Sequence, residues 1–195
     1  MNTLVFASSN PHKVEEIAAI LGGSLHLLGL QDVGITHDLA EDAQTLEGNA
    51  RQKARQVWEI TGKDCFADDT GLEVDALGGA PGVYSARYAG AQRDASANRT
   101  FLLQELRGAS DRTARFRTVI CLILRDREYL FEGVVDGTIA EAGRGEGGFG
   151  YDALFIPQGH TRTFAEMDPA EKNALSHRGR AAEKLAAFLQ ANPTS

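Results

Sequence analysis

The sequence predicts an α/β fold in which helices flank a mixed central β-sheet. At the amino end, a short β-type run at residues 3–8 passes directly into an amphipathic helical pattern. Further along, the strand-like runs 114–125 and 128–140 are separated only by the polar pair Asp126-Arg127, which indicates an antiparallel hairpin. Strand–helix alternation combined with a hairpin is typical of a mixed sheet rather than of a purely parallel one.

The composition is that of an ordinary globular protein, and it argues against two classes of partner. The 195 residues fit a single domain spanning 1–195, with room for a second lobe. The net charge of −7 argues against a dedicated binder of the DNA or RNA backbone, which normally carries a basic excess. The longest strongly apolar run, 119–124, is far shorter than the roughly 20 residues that span a bilayer. Because the first residues also lack a secretory signal, we expect a soluble cytoplasmic protein.

The two cysteines suit a reducing compartment. Cys65 and Cys121 both lie in apolar, strand-like segments and show no framework spacing. Buried free thiols are therefore favoured over a disulfide or a nucleophile.

The segment 8–13 forms a turn from a strand into a helix. Asn10 is a strong N-cap and Pro11 suits the first helical position. The free backbone N–H groups of such a turn favour a phosphate, and Lys13 adds a full positive charge there. A glycine-rich P-loop signature is absent, so a capped helix with a surface lysine is the alternative interpretation.

An acidic segment precedes the second predicted helix. Residues 31–44 have no clear period and are predicted to form a loop; its acids are Asp38, Glu41 and Asp42. Apolar residues recur at helical spacing from Thr45 to about Ile60. Asn49 and Lys53 lie one turn apart on this helix, where they either point at a shared ligand or form a solvated face.

Two adjacent acids at 68 and 69 form the predicted centre of the protein. The apolar residues 65–67 lead into Asp68 and Asp69, followed by Thr70 and a glycine, which suggests a strand that ends at a site. Two carboxylates in a desolvated cleft raise one pKa unless a cation intervenes. Mg²⁺ is such a cation, since it binds one or two protein carboxylates together with substrate phosphates. An acidic β-turn is the alternative.

Residues 143–152 are the most glycine-dense stretch of the chain. Glycines let the backbone approach a ligand closely, while Phe149 and Tyr151 offer rings on which a base can stack. Asp152 adds a hydrogen-bond acceptor for the edge of that base. A flexible hairpin loop is the alternative interpretation.

Basic residues gather near two helix starts close to the carboxyl end. Asp168 and Ser176 are the predicted caps, and the first turn after Ser176 carries His177 and Arg178. Positive charge at a helix amino end is unfavourable unless an anion binds there. Together with Lys172, these residues predict an anion site, with a surface cluster as the alternative.

An acidic protein with lysines at element ends, a carboxylate pair and an aromatic glycine-rich loop suits a metal-chelated, phosphorylated ligand with a planar base. A nucleoside triphosphate with Mg²⁺ fits best. Five motifs, in order, then resemble those of the inosine/xanthosine triphosphate pyrophosphatase family, the Ham1-like enzymes that remove noncanonical purine nucleoside triphosphates. These motifs are Ser8-Ser9-Asn10-Pro11-His12-Lys13, Phe66-Ala67-Asp68-Asp69-Thr70-Gly71, residues 77–88, Gly147-Gly148-Phe149-Gly150-Tyr151-Asp152, and Ser176-His177-Arg178. The family often has Thr at the position of Ser8 and Gly or Asn at the position of Ser9. At the position of Thr70 it often has Ser.

The resemblance implies that the protein is a hydrolase that converts dITP, ITP and XTP to the monophosphate and pyrophosphate, with Mg²⁺, as a homodimer. It also implies an elongated, two-lobed mixed α/β fold with a central substrate cleft. Asp69 is then the general base and shares the metal with Glu41, while Asp68 helps to hold the metal's waters.

The resemblance also implies a set of substrate contacts. Phosphates are expected to bind Ser8, Ser9, Asn10, Pro11, His12, Lys13, Thr70 and Lys172. Phe149 is expected to stack on the base, and Asp152, His177 and Arg178 to read its edge. The remaining predicted contacts are Lys53, Gly150 and Tyr151. Two other functions stay open from the residues: a phosphatase with a nucleophilic aspartate, and a nucleotide sensor without turnover.

Overall fold

The computed structural model describes residues 2–21 and 25–192, and it confirms the α/β class with a mixed sheet. The strands are β1 Asn2–Phe6, β2 Leu25–Leu28, β3 Cys65–Val74, β4 Thr113–Leu124, β5 Arg127–Ile139 and β6 Phe155–Pro157. The helices are α1 Pro11–Leu21, α2 Leu46–Thr61, α3 Ala95–Glu105, α4 Pro169–Leu175 and α5 His177–Ala191. None of the helices in these ranges is long and apolar enough to cross a membrane.

The six strands form one sheet in the order β2-β1-β3-β4-β5-β6. β1 pairs in parallel with both β2 and β3, whereas β6 pairs antiparallel with β5. Parallel neighbours at one edge and an antiparallel edge strand at the other make the sheet mixed, as the sequence predicts.

The chain forms two compact units. Unit 1 comprises Met1–Asp69, Thr118–Gly133 and Arg178–Ser195; unit 2 comprises Thr70–Arg117 and Val134–His177. In the core of unit 1, the rings of Phe6 and Phe66 stack with centroids 4.7 Å apart, and the apolar face of α5 packs on the same cluster. In the core of unit 2, the rings of Phe116 and Phe155 pack together with their centroids 4.7 Å apart. Each unit therefore has its own apolar core.

Helix boundaries follow the capping residues. The Thr45 side chain accepts a hydrogen bond from the Gly48 N–H, and Gly62 ends α2 with a left-handed φ of 64°. The start of α3 at Ala95 is likewise set by its cap. Arg93 has φ 54°, which is incompatible with a helix, and Asp94 caps α3 through the Ala97 N–H.

β3 differs from its prediction. The sequence suggests a strand that ends at the two acids, but β3 is continuous from Cys65 to Val74. Gly71 lets the backbone at Gly82 pack closely against β3, because a Cβ there would lie 2.7 Å from the carbonyl oxygen of Gly82. Asp68 and Asp69 therefore lie within a strand and not at its tip. The motif at residues 77–88 contains a 3₁₀ helix, Gly82–Arg87.

Both cysteines are buried and free, as predicted. Burial raises the pKa of the Cys65 and Cys121 thiols to about 12, so neither is a thiolate near neutral pH.

The hairpin between β4 and β5 turns one residue earlier than predicted. Its two turn residues are Arg125 and Asp126, both with left-handed backbone, at φ 52° and 61°. A two-residue turn of this kind favours Asn followed by Gly, since other side chains are strained at positive φ. The backbone strain at these two positions can therefore be relieved by substitution.

We expect the double variant Arg125→Asn/Asp126→Gly to raise the free energy of unfolding by about 1 kcal/mol. The lost ion pair between Asp126 and Arg55, at 3.5 Å and exposed, is worth little. Urea unfolding measures the change. Arg125→Asn/Asp126→Ala is the control, because alanine keeps the strain at position 126. Equal stability of this variant and of Arg125→Asn/Asp126→Gly would contradict the prediction.

Candidate active site

Asp68 is the buried centre of the polar cluster in unit 1. Its side chain is fully shielded from solvent, and its carboxylate accepts from Lys13 Nζ at 3.0 Å and from Arg178 Nε at 3.3 Å. Arg178 is itself 1% exposed and also pairs with Glu16 of α1. Two cations from different helices thus share one carboxylate of β3.

The charges around Asp68 decide its ionisation. Burial alone raises the pKa of a carboxyl group, but Lys13 and Arg178 outweigh burial and hold the pKa of Asp68 well below its usual range. For Lys13 the balance is reversed: burial lowers the pKa of the ammonium, and Asp68 only partly offsets that shift. Asp68 is therefore ionised at all ordinary pH values.

The amino end of α1 forms the capped turn that the sequence predicts. Asn10 Oδ1 accepts from the His12 N–H at 3.0 Å and from the Lys13 N–H at 3.4 Å, while Ser8 Oγ accepts from the Asn10 N–H. Pro11 opens the helix. The lysine that is unfavourable beside the helix dipole has an anion of the protein itself, Asp68, as its partner.

Asp69 lies in a second polar cluster of unit 1. The Asn49 side-chain amide donates to Asp69 Oδ2 at 2.9 Å, and Lys53 Nζ lies 4.0 Å from Asp69 Oδ1. Lys53 also donates to Glu41 Oε1 at 2.6 Å and to the backbone oxygen of Asp68 at 2.7 Å. Asn49 and Lys53 are both buried, which excludes the solvated helix face as their interpretation.

The two adjacent aspartates differ in ionisation. Burial raises the pKa of Asp69 above its usual value, and Lys53, Lys13 and the Asn49 hydrogen bond offset this only in part. Burial lowers the pKa of Lys53, but the carboxylates of Asp69, Asp68 and Glu41 more than reverse this effect and raise it. Asp69 is thus the carboxylate that takes up a proton more readily.

Glu41 and Asp69 offer the oxygen donors that a hard divalent cation prefers. Both carboxylates approach the same ammonium group, Lys53 Nζ, so a positive charge already lies between them. Mg²⁺ needs only one or two protein carboxylates, because waters and substrate phosphates complete its octahedron. The residues therefore fit Mg²⁺. Within residues 2–21 and 25–192, no three His, Cys, Asp or Glu side chains group as a complete protein-only metal site.

In unit 2, a buried ion pair organises the glycine-rich segment. Asp152 Oδ2 accepts from Lys172 Nζ at 2.7 Å and from the Phe149 N–H at 2.8 Å. The same ammonium lies 5.0 Å from the centre of the Phe149 ring. Tyr151 donates its hydroxyl to the Ser85 carbonyl at 2.9 Å, and Arg99 donates to the Gly150 carbonyl at 2.8 Å. This segment is fixed by contacts, which argues against the flexible loop.

The basic residues predicted near the carboxyl end have different partners. Lys172 pairs with Asp152 in unit 2, and the His177 ring stacks on Phe116, with centroids 4.5 Å apart and planes at 14°. Arg178 pairs with Asp68 in unit 1. All three basic residues are buried, so they do not form the surface cluster that was the alternative.

The remaining predicted contacts lie in more open positions. Ser9, Pro11 and His12 are exposed, Ser8 and Asn10 are half-buried, and Thr70 is a half-buried residue of β3. Glu16 was not among the predicted residues, although its position three residues after Lys13 puts both on one side of α1. That spacing is the sequence signal that could have identified it.

Similarity to known proteins extends over nearly the whole chain. The Ham1 family model matches residues 4–188. The chain belongs to the Ham1 family. A relative from Porphyromonas gingivalis, named dITP/XTP pyrophosphatase, is 52% identical over 190 residues, which are 97% of this chain and 98% of the relative.

Two solved structures share the fold of this Ham1-family chain. The Ham1 protein of Staphylococcus aureus has a TM-score of 0.89 at 38% identity, covering 97% of this chain and 99% of that one. A HAM1 protein from Coxiella burnetii has a TM-score of 0.90 at 38% identity, covering 98% and 100%. These similarities confirm the resemblance seen in the sequence motifs and the predicted fold class.

We expect Asp68→Asn in this Ham1-family protein to lower the free energy of unfolding by about 3 to 5 kcal/mol at neutral pH. The substitution leaves Lys13 and Arg178 buried with less compensating negative charge. Urea unfolding measures the loss, with Asp75→Asn, an exposed acid seven residues on, as the matched control.

The pH dependence gives a second readout of the same variant. Because the folded-state pKa of Asp68 lies below its unfolded value, its contribution is complete above about pH 4 and is lost as the pH falls through the folded-state pKa. The wild type should therefore lose more stability than Asp68→Asn on acidification below about pH 4. Parallel stability curves would contradict this account of the cluster.

Proposed function

We propose that this protein hydrolyses dITP, XTP and ITP to the nucleoside monophosphate and pyrophosphate, and so removes these nucleotides from the pool. The observation that carries the proposal is the buried Asp69 carboxylate, held by Asn49 and facing Lys53. Relatives that are 48–52% identical over nearly the full length are named dITP/XTP pyrophosphatase, which supports the choice of substrates.

Asp69 acts as the general base in this proposal. Its carboxylate can accept a proton, and the Asn49 hydrogen bond at 2.9 Å holds it in place. Asp69 takes a proton from water, whose oxygen attacks the α-phosphorus. The bond from the α-phosphorus to the bridging oxygen breaks, and pyrophosphate leaves. Asn49 fixes the rotation of the carboxylate during this step.

Lys13 and Lys53 neutralise charge on the phosphates. Both ammonium groups are anchored by carboxylates, so their positions are set before the substrate arrives. Glu41 and Asp69 would hold Mg²⁺, which supplies further charge neutralisation on the departing pyrophosphate when bound. The Ser8 hydroxyl and the Asn10 side-chain amide are the proposed phosphate donors at the start of α1.

The residues proposed for the base come from the glycine-rich segment 147–152 and from the start of α5. Phe149 offers a ring for stacking, and Asp152 and His177 offer polar groups for the base edge. The predicted role of Lys172 was at the phosphates, but its contacts with Asp152 and Phe149 favour a place beside the base. A site whose polar groups lose their partners with the wrong base rejects that base strongly.

The proposal also includes a homodimer and a cytoplasmic location, both of which the family resemblance and the sequence suggest. The distribution of cysteines supports a reducing compartment, since both thiols are free.

We expect Asp69→Asn to lower kcat for dITP by about 10²- to 10⁴-fold, because an amide cannot accept the proton from water. Pyrophosphate release with Mg²⁺ measures the rate, and Asp75→Asn should keep wild-type activity. Orthophosphate in place of pyrophosphate would support a phosphatase, and tight nucleotide binding without either product would support a sensor.

We expect Phe149→Ala to raise KM for dITP about tenfold or more, since stacking of a base on an aromatic ring is lost. Steady-state kinetics with dITP measure this effect. Phe149→Tyr keeps the ring and should keep KM near the wild-type value. An unchanged KM in the alanine variant would remove Phe149 from the site.

A further inference from the structure

The acidic segment before α2 is not a loosely attached loop. Residues 40–43 lie along α2, and three amide side chains of the helix bind their backbone. We call Asn49, Gln52 and Gln56 the amide ladder. Gln56 Oε1 accepts from the Ala40 N–H at 3.0 Å, Gln52 Oε1 from the Asp42 N–H at 3.1 Å, and Asn49 Oδ1 from the Ala43 N–H at 2.9 Å.

Gln56 and Gln52 each make two hydrogen bonds to the residue that they hold, Ala40 and Asp42 respectively. Gln56 Nε2 also donates to the Ala40 carbonyl at 3.1 Å, and Gln52 Nε2 donates to the Asp42 carboxylate at 2.7 Å. An amide that offers both a donor and an acceptor fixes the orientation of its partner, since either bond alone would leave a rotation free. Residues on each side of Glu41 are therefore held.

The ladder shares its helix face with the residues of the Asp69 cluster. Positions 49, 52, 53 and 56 follow the spacing of one helical face. On that face, Lys53 Nζ donates to Glu41 Oε1 at 2.6 Å, and Asn49 Nδ2 donates to Asp69 Oδ2 at 2.9 Å. One side of α2 thus holds the backbone around Glu41, the Glu41 carboxylate and the Asp69 carboxylate at the same time.

We propose that the amide ladder positions Glu41 for the metal–nucleotide complex. Gln52 and Gln56 are positioning residues that act through Glu41, and Asn49 links the 40–43 segment to Asp69. This inference rests on the proposed function, in which Glu41 and Asp69 would hold Mg²⁺. Outer partners that orient a metal ligand commonly change metal affinity strongly when they are removed.

Two roles of the ladder, stabilising the fold or positioning Glu41, predict different effects when it is removed. If it only stabilised the fold, its removal would lower stability and leave the metal dependence unchanged. If it positions Glu41, removal should raise the Mg²⁺ concentration needed for half-maximal activity, and excess Mg²⁺ should restore the rate, because Glu41 itself is still present.

The test uses the full chain with Gln52→Ala/Gln56→Ala, a pair of half-buried residues whose loss leaves no core cavity. We expect the half-saturating Mg²⁺ concentration for pyrophosphate release from dITP to rise about tenfold. Arg51→Ala is the matched control on the same helix; its guanidinium binds Glu128 and not the 40–43 segment, so its Mg²⁺ dependence should equal that of the wild type.

A second readout is independent of turnover. Mn²⁺ binding to the protein with a nonhydrolysable dITP analogue, measured by electron paramagnetic resonance, should weaken about tenfold in the double variant and not in Arg51→Ala. Gln56→Glu adds a finer probe, because it keeps the acceptor for Ala40 N–H but sets an oxygen against the Ala40 carbonyl; it should also weaken Mn²⁺ binding.

The outcomes separate the two proposals. Unchanged Mg²⁺ dependence and Mn²⁺ binding in the double variant would overturn the role of the ladder, even if pyrophosphate is released at the wild-type rate. Absence of pyrophosphate release from the wild type would overturn the proposed function instead. In that case, weaker Mn²⁺ binding confined to the ladder variants would still support the positioning of Glu41.

Discussion

A buried carboxylate on the central strand is the constraint on which unit 1 depends. Asp68 is inaccessible to solvent, and an isolated ionised carboxylate at such a position would be prohibitively unfavourable. The ion pairs with Lys13 and Arg178 make it tolerable, and they require that the first turns of α1 and α5 both face β3. Breaking either pair leaves the buried carboxylate with one cation in place of two, so the arrangement of these helices and the ionisation of Asp68 are mutually dependent.

Strand geometry explains why Asp68 and Asp69, although adjacent in sequence, have different partners. Successive residues of a strand point to opposite faces, so Asp68 meets the cations of α1 and α5 while Asp69 meets Asn49 and Lys53 of α2. The surroundings push the two pKa values apart, below the usual range for Asp68 and above it for Asp69. Neighbouring acids whose pKa values diverge in this way commonly divide structural and proton-transfer roles between them.

Local chemistry made part of the structure predictable. The cap at Asn10, the start of α2 after Thr45 and the β4–β5 hairpin each depend on residues close in sequence. The continuity of β3 was missed because acids and glycine are poor strand residues, and the partners that stabilise them come from far along the chain. The acidic segment gave no signal for the same reason, since its order comes from side chains of α2 and not from any period of its own.

The charge balance of unit 1 gives a physical reason for a divalent cation. Lys13, Lys53 and Arg178 are each paired with carboxylates of the protein, and the four acids of these pairs, Glu16, Glu41, Asp68 and Asp69, outnumber the three cations. A triphosphate that approached these lysines alone would compete with buried carboxylates and add negative charge to a cluster that has no positive excess. In the proposed function, a divalent ion bound to the phosphates would reduce this negative charge, and it would present a positive centre to the carboxylates of Glu41 and Asp69. In the proposed function, the excess of acids in this cluster would therefore favour a metal-bound nucleotide over a free one.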